Sequence, residues 1–580
     1  MFFYFGFSMR LFFLLFLTLF SLSYNAGAQS DGRYEVVIDE IMADPTPSAG
    51  LPEAEYIEIK NISGKAIDLS GWKLATTSRA SSPFPAYLLP ADSFLILCTS
   101  SHVPDFDHYG KTLGIAGFPS ITNNGNTLSL TNREGKVIHA IQYNMEWYQN
   151  NEKEKGGWSL EMIDTHNPCS GISNWTASVH PDGGTPGKRN SVDGVNDDTQ
   201  PPQLIRTFSI DSMTIMAVFN EPLDSLSAAV ASSYILEDIN SIRVLKAIPV
   251  GPIFDQVVLK LSDSLHKRKV YQLSVYNVTD CKGNTVGIVN HAPAGLSAEA
   301  ADKDIVINEI LFNPRPGASD YIELYNRSDK IIDTRSLSIS SRNVSGNITN
   351  TKKISDQPFF VYPGGYMVVT KDVLSLSKEY FVKEPGYVLL LPSLPSFPDD
   401  KGTVVITDAQ EKIIDEVSYS DKWHFQLITN TEGVSLERID PDGPSQDQNN
   451  WHSAASTAGY GTPTYKNSQY GKDKANLMID VSPGLFSPDN DGNEDFASIS
   501  FHADQPGYMA NIYIFDANGR MVRYLIRNEL LGISGHWTWD GLGENGQKLS
   551  VGHYIIFTQL FNLEGKKIQF KNVIGLVRRK

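Results

Sequence analysis

The sequence predicts an all-β protein arranged as a row of β-sandwiches, and three observations carry that expectation. Short runs rich in Val, Ile, Tyr and Phe recur along nearly the whole chain, each bounded by Gly, Pro, Asn, Asp or Ser, as strands joined by turns are. Sustained helical periodicity is scarce, with short exceptions at Asp224 to Leu236 and Lys371 to Phe381. The chain also repeats itself. Val36-Val37-Ile38-Asp39-Glu40-Ile41 with Glu55-Tyr56-Ile57-Glu58-Ile59 returns as Ile305-Val306-Ile307-Asn308-Glu309-Ile310 with Asp320-Tyr321-Ile322-Glu323-Leu324. Downstream, Asn61 and Asp68 answer to Asn326 and Asp333, and Gly157 to Glu161 answers to Gly433 to Glu437. Asn174-Trp175 answers to Asn450-Trp451, and Gly184-Thr185-Pro186 to Gly461-Thr462-Pro463. Matches in one order over so long a stretch mark a duplicated globular domain rather than the rungs of a solenoid.

The chain's 580 residues predict about four domains. Its first element reads as a secretory signal over residues 1–28: Arg10 supplies the charge, Leu11 to Leu22 the apolar run, and Ala26-Gly27-Ala28 the small-x-small site, leaving Gln29 first. Met9, directly before Arg10, is the expected start, because residues 1–8 carry no charge. The apolar run is short for a membrane span, and no later stretch reaches the roughly 20 apolar residues one needs. Polar breaks near Gly194 to Pro202, Leu296 to Asp302 and Tyr465 to Lys474 then divide the chain into units at 34–192, 200–297, 303–466 and 475–580.

The first and third units are the repeats. Asp39-Glu40-Ile41, Glu55-Tyr56-Ile57-Glu58, Asn61 and Ile67 to Leu74 with its Gly71-Trp72 pair resemble the lamin tail domain, which implies an immunoglobulin-like β-sandwich. The later copy keeps Asn308-Glu309-Ile310 and Tyr321 to Asn326, but has Arg335-Ser336-Leu337 in place of the Gly-Trp pair. In the second unit, Val218 to Leu223, Tyr271 to Val275 and Val278 to Asn284 resemble a bacterial Ig-like domain, the last two as its final hairpin. The fourth unit, with Phe486 to Asp495, Ile514 to Arg520, Trp539-Asp540-Gly541, Asn545-Gly546-Gln547 and Gly552-His553-Tyr554, is similar to C-terminal Ig-like domains of hook-capping and gliding type. That resemblance implies a type IX secretion signal, although Ser550-Val551 stands where the family has a small or proline-containing turn. The fold class is therefore tandem Ig-like β-sandwich domains.

Charge narrows the partners. Against 66 Asp and Glu the chain sets 49 Lys and Arg, a formal charge of -17. The compact basic clusters, Lys267-Arg268-Lys269 and Arg578-Arg579-Lys580, make no basic face for phosphates, so nucleic acid is not expected. Cys98, Cys169 and Cys281 allow one disulfide with one thiol over, or none. The setting of Cys98 in Phe94 to Cys98 suits a buried thiol.

Three patterns could carry chemistry. Asp489, Asp491, Asn493 and Asp495 alternate oxygen ligands as the start of a calcium loop does, but Gly492 comes early and no glutamate closes the loop. The competing explanation is a turn rich in Asp and Asn. Glu40 and Glu58, repeated as Glu309 and Glu323, are paired carboxylates that could do acid–base work, though their apolar surroundings favour a structural role. Trp72, Trp158, Trp175, Trp451, Trp537 and Trp539 could stack on sugars or fill sandwich cores. No zinc-protease helix motif, nucleophile elbow, phosphate loop or dinucleotide fingerprint is present. The sequence therefore points to a secreted, non-enzymatic surface protein acting in adhesion, scaffolding or spacing. Its expected partner is a protein or glycan at the cell surface, its expected ion calcium. The alternatives are an accessory of an exported nuclease or phosphoesterase system, and a periplasmic scaffold for envelope assembly.

Overall fold

The computed structural model describes residues 32–237, 242–471 and 476–578; the expected signal at 1–28 and the ends Arg579 and Lys580 lie outside these. The chain is a series of all-β domains that divide into two compact units. Unit one runs to Ser264 and includes Tyr271–Ala294; unit two takes Leu265–Val270 and everything from Gly295 onward. Among the described residues no helix is long and apolar enough to cross a membrane.

In unit one the first repeat is organised by the strand Val36–Met42, whose seven residues are all buried. It lies inside a six-stranded sheet ordered 175–177, 160–162, 36–42, 56–61, 94–99, 112–115, antiparallel except for the last pair. Alternation sorts the side chains. Ile38, Ile41, Ile57 and Ile59 face a core closed by Leu74, Leu128, Trp147 and Trp175. Met42, Tyr56, Ile96 and Cys98 face the opposite side, beneath Phe106. The register of Val36–Met42 against Tyr56–Asn61 slips between Ile38, opposite Ile59, and Glu40, opposite Glu58. Asp39 is therefore the extra residue of a β-bulge, which turns it and Glu40 toward the same face.

The second sandwich of unit one pairs a four-stranded sheet, ordered 204–211, 214–219, 256–261, 244–249, with a three-stranded one, ordered 234–237, 271–275, 291–294. Two local expectations change here. Asp224 to Leu236 holds two single helical turns, Ser225–Ala228, capped by Asp224, and Ala231–Ser233, before Tyr234 and Leu236 alternate inward and pair with Tyr271–Val275. Tyr271–Val275 does not form a hairpin with Val278 to Asn284. It pairs with His291–Ala294, while the intervening residues make a turn that the Asp280 carboxylate holds through the N–H groups of Lys282 and Asn284. Lys371 to Phe381 contains the expected helix as Val373–Glu379, capped by Asp372.

Unit two repeats the first plan. Its six-stranded sheet, ordered 451–453, 436–438, 305–311, 321–326, 366–370, 388–390, matches the earlier one strand for strand, including the parallel last pair. The bulge recurs between Ile307 and Glu309, with Asn308 as the extra residue. Asn61 and Asn326 also share a role, each donating through Nδ2 to carbonyls of a turn and a neighbouring strand. The last sandwich sets strands 478–482, 497–502 and 534–539 against a five-stranded sheet, with Trp539, Phe486 and Tyr554 in ring contact between them.

Candidate functional site

The paired glutamates become triplets. Glu40 stands opposite Glu58 on one side and Glu161 on the other, so three carboxyls lie side by side across three strands. All are fully buried. Like charges directly opposed in a dry sheet repel, and burial disfavours the ionised form. Burial, then Glu161, pushes Glu40 up to about 8. Burial, then Glu40 and Asp39, pushes Glu58 well above the ordinary carboxyl range.

The closing segment explains why Gly-Thr-Pro recurs. Glu40 Oε1 accepts from Tyr56 Oη at 2.7 Å, Ser159 Oγ at 2.6 Å and the Thr185 N–H at 2.8 Å. Thr185 Oγ1 donates to Glu161 at 2.8 Å, and the Gly187 N–H donates to Glu58. Gly184 lies so close that a β-carbon there would stand 2.6 Å from Glu40 Oε1 and 2.7 Å from Tyr56 Oη, so only glycine fits. The second repeat has the same arrangement. Glu309 accepts from Tyr321, Ser435 and the Thr462 N–H, Glu437 from Thr462 Oγ1, and Glu323 from the Thr464 N–H. Each carboxyl set thus fastens a closing segment across the outer face of its sheet. The carboxyls are fully buried and their hydrogen bonds run to the closing segment, so the glutamates act as structural clasps.

The residues expected to hold a metal fall on an exposed loop after Phe486. Carboxylate oxygens of Asp489, Asp491 and Asp495 lie within 4.8 Å of one another. The same groups also organise the turn: Asp495 accepts from the N–H groups of Asp489, Asn490 and Gly492, and Asp491 accepts from the Asn493 N–H at 2.8 Å. A second trio with such spacing, Asp198, Glu221 and Asp280, lies in unit one. Burial, then Asp198 and Asp280, pushes Glu221 up to about 7. Sequence reasoning missed this trio because its members are far apart in the chain and share no local spacing.

The tryptophans answer to packing. Trp72, Trp175, Trp451, Trp537 and Trp539 are buried, and the half-buried Trp158 packs against the first core with Lys153 Nζ over its ring. Ring contacts instead run along the outer face of the last five-stranded sheet, where the half-buried Tyr513 stacks on Tyr524 and meets Phe515 and Phe557. Within each unit the two sandwiches are tied. Cys169 is disulfide-bonded to Cys281 in unit one, leaving Cys98 as a buried free thiol. In unit two, Gln469 Nε2 bridges Ser453 O and Leu531 O, both at 3.0 Å, beside an apolar contact of Phe425 with Met509 and Leu530.

Comparison with known proteins agrees with the duplication. Residues 29–145 and 298–421 match the Lamin Tail Domain family model. Both lamin tail domain matches stop short of the third glutamate and the Gly-Thr-Pro segment, so the clasp draws on sequence beyond each match. No curated protein matches the chain. Among solved structures, the N-terminal part of the bacterial S-layer protein SbsC is similar at 14% identity and a TM-score of 0.17, over 29% of this chain and 40% of that one. The chain thus spans less than half of that structure. A DUF4876 family protein from Bacteroides thetaiotaomicron is 12% identical, over 34% of this chain and 82% of that one, with a TM-score of 0.17. PorZ, described as an essential surface component of the type-IX secretion system of Porphyromonas gingivalis, is 8% identical, over 93% of this chain and 99% of that one, with a TM-score of 0.16. At such scores these likenesses carry no argument about function.

Proposed function

We propose that the protein is a secreted, non-enzymatic scaffold or spacer of the outer cell surface, which holds a protein or glycan partner through exposed loops and sheet faces. The observation that supports this reading is how the repeated carboxyls are used. The side chains best placed by sequence for acid–base chemistry are consumed in closing the sandwiches, and paired sandwiches are further locked to each other. A chain whose polar interior is spent on fastening suits load and spacing. The aromatic row of Tyr513, Phe515, Tyr524 and Phe557 is the face we assign to recognition. Calcium at Asp489, Asp491, Asn493 and Asp495 would stiffen the loop of the same sandwich, and calorimetry of the full chain should show calcium heat that Asp495→Asn removes.

The deciding experiment is fractionation of the native host with intact-mass measurement and protease added outside the cells. A mature form open to protease is expected, and loss of the last domain, 475–580, would add a sorting role for it. A protease-protected protein with an intact C-terminus would overturn the surface reading in favour of a periplasmic scaffold. Hydrolase activity abolished by Glu40→Gln would overturn the non-enzymatic one.

A further inference from the structure

The two clasps differ at the bulge residue, Asp39 against Asn308, as well as at Gly187 against Thr464. In the second repeat, Asn308 Nδ2 donates to Glu323 Oε1 at 2.8 Å and to Asn467 Oδ1 at 2.6 Å. Every buried oxygen of Glu309, Glu323 and Glu437 there has a partner, none being among the buried polar atoms left without one. In the first repeat the bulge residue is Asp39, which brings a carboxyl where its counterpart brings an N–H. Asp39 Oδ1 and Glu58 Oε1 are thereby left without a donor, and Glu40 Oε2 also lacks one, where Glu309 Oε2 accepts from Thr462 Oγ1 at 2.9 Å. Asp39 is 1% exposed and the two glutamates 0%, so bulk solvent does not reach them. A buried acceptor without a donor costs about 1–3 kcal/mol, and two facing carboxylates cost more.

We propose that Asp39 and Glu58 hold a proton between them, and that this proton fastens the closing segment of the first repeat as a pH-dependent latch which Asn308 makes unnecessary in the second. One proton supplies the missing donor and removes one of two facing charges, as in other carboxyl pairs sharing a site. A metal ion fits less well. The carboxylates that gather in threes within 4.8 Å among the described residues are those of Asp198, Glu221 and Asp280 and of Asp489, Asp491 and Asp495.

The surrounding groups reinforce the pair. Glu40 on the same strand and Glu161 on the next add negative charge, as does Asp193 beyond the closing segment, while Lys60 on the partner strand opposes them. Their balance, dominated by burial, pushes Asp39 up to about 7. The sign follows. Once the segment opens, water returns the carboxyl to its ordinary pKa of about 4, so the open form sheds a proton that the closed form keeps. Closure is therefore strongest in acid and weakens as pH rises from about 4 toward 7, tenfold in the opening constant for each pH unit per proton.

Hydrogen exchange of the full chain, with its disulfide intact and corrected for intrinsic rates, tests this through peptides covering residues 184–190 and 461–467. Asp39→Asn should flatten the pH dependence of protection at 184–190 by about tenfold per pH unit between about pH 5 and 7, and leave 461–467 unchanged. Asn308→Asp should add the same slope to 461–467. If Asp39→Asn leaves the slope at 184–190 as it was, or Asn308→Asp adds none at 461–467, the latch is wrong. Should Asp39→Asn fail to fold, Asn308→Asp decides alone.

Discussion

Asp415 takes in the second repeat the place that His139 takes in the first. Asp415 Oδ2 accepts the N–H of Ile307 at 2.8 Å, and His139 Nδ1 accepts the N–H of Ile38 at 2.8 Å, each at the strand residue before the bulge. The solutions differ in charge. Asp415 is paired with Arg438 at 3.0 Å and Lys303 at 2.6 Å, with Ser445 Oγ donating as well. His139 faces Pro168 O at 2.9 Å through Nε2, and Met162 stands at the strand position of Arg438. A neutral ring accepts at Nδ1 and donates at Nε2, so it meets both needs without a counter-ion.

His139 should make the first repeat acid-sensitive. Burial pushes it down to about 4, against about 6.5 in an unfolded chain. Its contribution is complete above about 6.5 and is lost as pH falls toward 4, because the unfolded chain then takes a proton that the folded one refuses. Because the raised carboxyl of Asp39 acts in the opposite sense over the same range, denaturant titrations of the full chain from pH 4 to 7 should compare His139→Gln with the unaltered chain, and the variant should lack an acid-side loss on the order of 2–3 kcal/mol in the transition of unit one.

The buried ion pair predicts an asymmetric response. Arg438→Met leaves the buried Asp415 with Lys303 as its remaining cation and should cost about 3–5 kcal/mol by urea unfolding. Adding Asp415→His rebuilds the arrangement of the first repeat, and the double variant should recover more than half of that loss.

The clasp itself can be weighed at Glu40. Glu40→Ala strands three buried donors, Tyr56 Oη, Ser159 Oγ and the Thr185 N–H, and should lower the stability of unit one by about 3 kcal/mol or more. Glu40→Gln keeps a carbonyl oxygen for them and should cost less than half as much in urea titrations near pH 6.

Thiol counting checks the cysteines. The native, unreduced chain should show no reactive thiol, because Cys98 is buried and its thiol is pushed up to about 11 by burial and nearby Asp105 and Asp107. Denaturation should expose one thiol, and reduction three. Replacing Cys169 and Cys281 together by Ser should destabilise unit one by about 4 kcal/mol, given their sequence separation of 112.

The β character and the duplication were legible because both rest on local patterns: alternation in Tyr56–Asn61, turn residues between strands, and motifs shared in order. The clasp was half legible. Glu40 and Glu58 stood out as a repeated pair, but their third member, Glu161, sits in a separate motif, and nothing in its spacing says that its strand returns beside Val36–Met42. Alternation also hid the bulge, since an inserted residue such as Asp39 changes which face it meets without changing composition. Asp224 to Leu236 suggests a helix because its Ala-containing stretch favours one, yet the few alternating residues at its end belong to the strand Tyr234–Glu237. Long-range pairing overrode that preference. The partner of Cys281 could not be chosen from spacing, because a sandwich boundary lies between it and Cys169.

The Cys169–Cys281 bond has a mechanical meaning for a chain anchored at one end and pulled from the other. Tension entering near Cys169 crosses the sulfur bridge and leaves at Cys281, bypassing the backbone between them. That backbone, a separation of 112 positions or roughly 380 Å when fully drawn out, is hidden length while the bond is intact. In an oxidising exterior the strands between the two cysteines are thus shielded from stretching, and reduction would turn the same segment into slack.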